Sequence, residues 1–152
     1  MLVIGLISDT HGWLRPQVLE AFRPCSLILH AGDIGNAQVL ERLRQLCPVV
    51  AVRGNVDRGD WAQALPATEL VEAGTLWIYM LHDVTTLDLV PEAADIQLVL
   101  SGHTHKPSCH QRKGVTYLNP GSAGPRRFNL PATAAMLYIQ GESLETRWIL
   151  LE

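Results

Sequence analysis

The stretch Leu2-Val3-Ile4-Gly5-Leu6-Ile7-Ser8-Asp9-Thr10-His11-Gly12 decides most of the fold. Its first six residues are apolar apart from one glycine and show no polar alternation, as in a strand buried on both faces, and they stop at a polar turn. Two later segments repeat the arrangement: Leu27 to Leu29 runs into His30-Ala31-Gly32-Asp33, and Val49 to Val52 runs into Arg53-Gly54-Asn55. Between them, Pro16 to Phe22 and Ala37 to Leu46 have helical character, the first opened by a proline suited to an early helical position. The alternation predicts β-α-β-α-β with parallel strands. Right-handed crossovers bring the C-terminal ends of such strands to one edge, where ligands of open α/β sheets bind.

Further along, Glu69 to Ala73 and Thr75 to Leu81 flank Gly74 as a hairpin, and Ile96 to Leu100 is another apolar strand. Val84 to Ala94 is expected to hold a short helix, and the polar stretch Ser108 to Lys113, with His110, an exposed loop. Val115 to Leu118, Thr133 to Ile139 and Leu144 to Leu150 read as strands, with Gly141 turning the last two. The expected architecture is two sheets with helices outside them, in one domain spanning residues 1–152.

Composition narrows the function. Hydrophobic residues make up 47% and charged residues 18%, enough apolar content to exclude disorder as the main state. The formal net charge of -3 argues against a partner in duplex nucleic acid. No apolar run approaches the ~20 residues of a membrane span, so no membrane association is expected. The N-terminus enters Leu2-Val3-Ile4 without a basic segment before it, which makes the cytoplasm the expected location. Cys25, Cys47 and Cys109 form no CxxC pair, which argues against a disulfide framework or a structural zinc site.

Each strand expected to end at the common edge is followed by side chains able to hold a metal: Asp9, His11, Asp33, Asn55, His82, His103 and His105. Side chains two apart in an extended segment point the same way, so Asp9/His11 and His103/His105 would each present a pair. Seven donors exceed the needs of one tetrahedral zinc and suit two ions sharing one carboxylate, for which Asp33 is the choice. Two divalent ions set against Asp9, Asp33 and a bridging hydroxide leave about one positive charge, and a phosphate ester answers it. Imidazole, carboxylate and amide together favour manganese, iron, zinc or nickel over calcium.

The ordered series Asp9-x-His11, Gly32-Asp33, Gly54-Asn55, His82 and Gly102-His103-x-His105 resembles the calcineurin-like metallophosphoesterase superfamily. Asn119-Pro120-Gly121-Ser122 is similar to a motif of its small single-domain phosphodiesterase branch, a branch also similar to the retromer scaffold subunit. The resemblance implies a four-layer α/β/β/α sandwich of two mixed sheets flanked by helices. It also implies a binuclear site: Asp9, His11, Asp33 and His105 at one ion, and Asp33, Asn55, His82 and His103 at the other. The implied activity is hydrolysis of a small-molecule phosphate ester, most of all a phosphodiester, by a hydroxide bridging two ions, with manganese foremost. Asp9, Asp33, Asn55 and His82 form the expected catalytic set, while Asn119 and Arg126 are the expected substrate contacts.

Two departures from the family pattern stand out. Val56 follows Asn55 where many members place a leaving-group-protonating histidine, and Asp83-Val84 follows His82 where Gly-His is usual. The rival expectation is a non-catalytic, metal-binding interaction scaffold on the same fold. A homo-oligomer is compatible with either.

Overall fold

The computed structural model describes residues 1–127 and 129–152. Strand β1 (Leu2–Ile7) pairs in parallel with β2 (Leu27–His30), which pairs in parallel with β3 (Val49–Ala51). On the other side of β1 lie β9 (Thr133–Gln140) and then β10 (Ser143–Leu150), both antiparallel to their neighbours, giving the order β10-β9-β1-β2-β3. The second sheet comprises β4 (Thr68–Ala73), β5 (Leu76–Leu81), β6 (Leu98–Leu100), β7 (Ser108–Arg112) and β8 (Val115–Asn119), in the order β4-β5-β6-β8-β7. Its three central strands are parallel and its two edges antiparallel. Both sheets are therefore mixed and five-stranded, in an α/β sandwich of the expected class.

The uninterrupted apolarity of β1 follows from its two covered faces. Ile4 and Leu6 pack into a core shared with Ile78, Met80 and Leu98 of the opposite sheet, while Ile7 packs with Val18, Phe22 and Leu40 on the helical side. Helices α1 (Pro16–Ala21) and α2 (Ala37–Arg44) bury residues in that second cluster. Asn36 caps α2, its side-chain oxygen accepting from the Val39 N–H at 3.2 Å; such a cap stabilises a helix by about 1 kcal/mol.

Two local expectations need correction. Residues 84–94 do not form an α-helix: two 3-10 turns, Val84–Thr86 and Pro91–Ala93, stand there instead. Pro91 restricts Val90 to extended backbone and has no N–H to continue a helix from the first turn. Ser108–Arg112 is strand β7 rather than a loop; all five residues are exposed, so no apolar alternation marked it. Its ladder with β8 closes through Lys113 and Gly114, whose φ values of 53° and 79° suit a two-residue hairpin turn. A short helix, α3 (Asp60–Gln63), was not anticipated from the sequence. Among the described residues, no helix is long and apolar enough to cross a membrane.

Candidate metal centre

Hydrogen bonding between β1 and β2 continues past the strand ends. The Asp9 N–H donates to Gly32 O at 3.0 Å, that of His11 to Asp33 O at 3.0 Å, and that of Gly12 to Ile34 O at 2.7 Å. The loops after the two strands thus run side by side and bring Asp9 and Asp33 together. Asp9, His11, Asp33, His103 and His105 all have φ between 48° and 75°, the left-handed region that non-glycine residues seldom occupy. The paired ligands therefore sit in tight turns beyond the strands, and the extended-segment account of their spacing does not hold. Backbone strain of this kind, of order 1–3 kcal/mol per residue, gathers at functional sites.

Two glycines in the motifs leave room for the carboxylates. A Cβ on Gly54 would overlap the Asp33 backbone and carboxylate, and one on Gly102 would overlap Ser8 Oγ and lie 2.6 Å from Asp9 Oδ2. This is why the Gly-Asn and Gly-His pairs of the sequence carry glycine at those positions.

The side chains form two triads, Asp9/His11/His105 and Asp33/His82/His103, each with donor atoms within 4.8 Å of one another. Asp9 Oδ1 lies 3.3 Å from His105 Nε2, 3.7 Å from His11 Nε2 and 3.9 Å from His82 Nε2. Asp33 Oδ2 lies 3.2 Å from His82 Nε2 and 3.8 Å from His11 Nε2, so one oxygen faces both triads. Asn55 Oδ1 stands 3.2 Å from His103 Nδ1, which is 3.3 Å from His82 Nε2. All seven donors expected from the sequence are thereby brought together. His82 Nδ1 donates to Ala31 O at 2.8 Å, leaving its Nε2 lone pair directed at the cluster.

The arrangement fits cations. Asp9 Oδ2 accepts from Ser8 Oγ at 2.7 Å and from the His103 N–H at 3.0 Å, whereas Asp9 Oδ1 is buried without a hydrogen-bond partner. A buried, unpartnered carboxylate oxygen facing three imidazole nitrogens is a destabilising arrangement that a bound cation relieves. Burial pushes the Asp9 carboxyl up, but the nearby His11 imidazole, the bond from Ser8 and the charges of His82 and His105 together hold it below its ordinary value. Burial likewise opposes ionisation of Asp33, and His82, the Val56 N–H and His11 outweigh it. Burial disfavours His82 as an imidazolium, yet Asp33 and Asp9 outweigh it and raise its pKa above the ordinary value. Burial, with His11 and Arg127, lowers the His105 pKa against the pull of Asp9.

The two residues read as substrate contacts lie differently. Asn119 is buried; its amide donates to Gly102 O at 2.9 Å and Thr104 Oγ1 at 3.1 Å, and its carbonyl accepts from the Gly121 N–H. It holds the His103–His105 turn from behind. The Nε of Arg126 is engaged by Leu130 O at 3.2 Å and by the Glu152 carboxylate at 3.1 Å, and the charge that acts on His105 is that of its neighbour Arg127.

Sequence reading passed over two carboxylates. Asp57 accepts from the backbone N–H groups of Ile34, Gly35 and Gly54 at 3.2, 2.9 and 2.8 Å, tying the Asp33 loop to the Asn55 loop. Its place three residues after Gly54, in a turn, was the available signal. Asp83, the departure after His82, lies 3.8 Å from His103 Nε2 and adds a negative charge beside that imidazole.

His30 is fully buried behind the cluster. Its Nδ1 accepts from the Gly32 N–H at 3.1 Å, so Nε2 carries the proton and donates to Thr10 Oγ1 at 3.1 Å. Burial pushes its pKa down to about 4, with His82 adding to the effect and Asp57, Asp9 and Asp33 opposing it. Below the unfolded value near 6.5 the unfolded chain takes a proton that the folded one refuses. The stability contributed by neutral His30 is therefore present above pH ~6.5 and lost as pH falls toward ~4, by about 3 kcal/mol in all. Urea unfolding at pH 7 and pH 4 should show this drop in the parent and a smaller one in His30→Gln; equal drops would assign the acid sensitivity elsewhere.

A sandwich whose strands deliver four imidazoles, two carboxylates and an amide to one edge has the construction of a metal-dependent hydrolase. The chain belongs to the calcineurin-like phosphoesterase superfamily, whose domain model matches residues 2–142. A probable metallophosphoesterase of Methanothermobacter thermautotrophicus is 33% identical over 160 residues, which span 97% of this chain and 92% of that protein. Phosphodiesterase YfcE of Escherichia coli (strain K12) is 29% identical over 167 residues, covering 90% of this chain and 88% of the relative. The solved structure of wild-type Vps29 from Entamoeba histolytica complexed with Zn2+ shares the fold, with a TM-score of 0.78 at 23% identity over 99% of this chain and 100% of that one. The chain is thus a member of a metal-dependent phosphoesterase family and carries two candidate metal-ligand clusters.

Proposed function

We propose that the chain, acting as one domain over residues 1–152, is a phosphodiesterase dependent on two divalent transition-metal ions. The observation that carries this reading is the pair of carboxylate oxygens: Asp9 Oδ1, buried without a partner, and Asp33 Oδ2, facing imidazoles of both triads. Asp9, His11 and His105 would hold one ion, Asn55, His82 and His103 the other, and Asp33 both. Manganese suits this donor set best, with iron, zinc or nickel as further candidates. When bound, the ions supply Lewis acidity, bringing the pKa of a water toward neutrality and neutralising phosphoryl oxygens. Asp9 and Asp33 supply the negative charge that anchors such a centre, and Ala31 O and Asn119 fix the orientation of His82 and of the His103–His105 turn.

The substrate is a small phosphate ester, met in the cytoplasm. A diester is preferred because a monoanion needs fewer cationic clamps than a dianion. The decisive assay is the initial rate on a p-nitrophenyl phosphodiester with manganese added and metal content confirmed. Turnover supports the reading; its absence across a broad ester panel, together with capture of a stable protein partner, supports the scaffold reading to which the Vps29 likeness lends weight.

With Val56 after Asn55, no imidazole stands at that place to protonate a departing alkoxide. General acids of this kind contribute about 10²- to 10⁴-fold. Across aryl diesters of rising leaving-group pKa, kcat/KM should therefore fall steeply. A flat series, with chemistry shown to be rate-limiting, would mean that another acid does the work.

A further inference from the structure

The outer face of the second sheet is only partly covered, because the segment above it contains two 3-10 turns in place of a helix. Between that segment and the sheet lies a cavity of about 480 Å³, within the range of small-molecule sites. Leu87, Leu89 and Pro91 form its apolar roof, and Tyr117 and Leu118 lie on the sheet side. Strand alternation sends Ser108, His110 and Arg112 of β7 to the same face. The rings of His110 and Tyr117 are parallel within 7° at 5.4 Å between centroids, and the Arg112 guanidinium lies 5.3 Å from the Tyr117 centroid. Glu92 on the opposite side pairs with Lys113 at 3.9 Å, which leaves the β7 rim cationic.

The cavity shares a wall with the metal centre. Ser101, Thr104 and Asn119 line it, Thr104 sits between His103 and His105, and Asn119 donates to Thr104 Oγ1. Its roof begins at Asp83, which adjoins His82, caps the first 3-10 turn and lies 3.8 Å from His103. A diester held at the cluster carries two organic arms, and this cavity is a roofed space beside it.

We propose that the cavity between β7–β8 and residues 84–92 binds one organic arm of the substrate, an aromatic ring with hydrogen-bond acceptors on its edge. Apolar roof and aromatic floor take the ring, while Arg112 and His110 donate to the acceptors. The assignment rests on the phosphodiesterase reading for its role and on the cavity alone for its binding, so the two are tested separately. For binding, metal-free protein is titrated with 4-nitrobenzyl alcohol, which has the ring and the acceptor edge and no phosphate. His110 and Tyr117 ring resonances should shift saturably, and Leu89→Trp, which fills the cavity, should weaken binding about tenfold or more. Leu70→Trp, on exposed β4, is the control and should bind as the parent does.

For role, kcat/KM on bis(p-nitrophenyl) phosphate with manganese should fall about tenfold in Leu89→Trp and stay at the parent value in Leu70→Trp. Should Leu89→Trp not fold, Arg112→Ala on the exposed rim decides by the same titration, with weaker binding expected. Absence of saturable shifts in the parent, or unchanged binding in the cavity variants, overturns the site. Ring binding without hydrolysis by the parent overturns the phosphodiesterase reading and leaves the site standing; hydrolysis that Leu89→Trp does not alter overturns the substrate role.

Discussion

Asp33→Asn should lower phosphodiester turnover by about a thousandfold or more and reduce bound metal to below two ions per chain. Asp33 Oδ2 lies 3.2 Å from His82 Nε2 and 3.8 Å from His11 Nε2, while Oδ1 accepts from the Val56 N–H at 3.0 Å. An asparagine keeps the shape and removes the charge. If its oxygen takes the Val56 N–H, its NH2 group faces the cluster as a donor where an acceptor is needed; if it flips, the NH2 group opposes the Val56 N–H. Neither rotamer restores a shared anionic oxygen. Initial rates and metal content measured on the same sample decide the matter. A variant that keeps two ions and loses less than about tenfold in rate would show that Asp33 is not the shared carboxylate.

The donors were legible because each follows an apolar run that could only be a buried strand, and parallel strands end on one edge. What spacing could not convey was the backbone. Asp9, His11, Asp33, His103 and His105 reach their places through left-handed turns, and for the first three the ladder continues between two loops distant in sequence. Strand β7 escaped notice because an edge strand exposed along its whole length has neither a buried face nor an apolar period. Asp57 was missed for a related reason: its three partners are backbone N–H groups, and its place in the turn after Gly54 was the one cue to them. The cavity depended on a helix failing to form over residues 84–94, and Pro91 was the one residue in the sequence that signalled it.

Asp57→Ala should destabilise the fold by about 3–5 kcal/mol, since net contributions of hydrogen bonds to a charged group run about 1.5–3 kcal/mol each and partial rehydration returns some of the loss. The carboxylate is 6% exposed and satisfies three N–H groups from two loops, with Oδ2 taking Ile34 and Gly54 and Oδ1 taking Gly35. Truncation leaves all three without an acceptor where little water reaches. Asparagine keeps one oxygen and turns an NH2 group on the remaining N–H, so its loss should be intermediate; urea unfolding at pH 7 should give the order Asp57, Asn, Ala. The effect extends to the metal centre, because the same three bonds hold Gly54-Asn55 against Asp33. In the proposed centre Asn55 would serve one ion only, so affinity at that ion should drop further than at the other in a manganese titration of the folded variant. A loss under about 1 kcal/mol in Asp57→Ala would mean that water replaces the carboxylate at no great penalty, and that the β2–β3 pairing and the Val56 N–H bond to Asp33 suffice to hold the two loops.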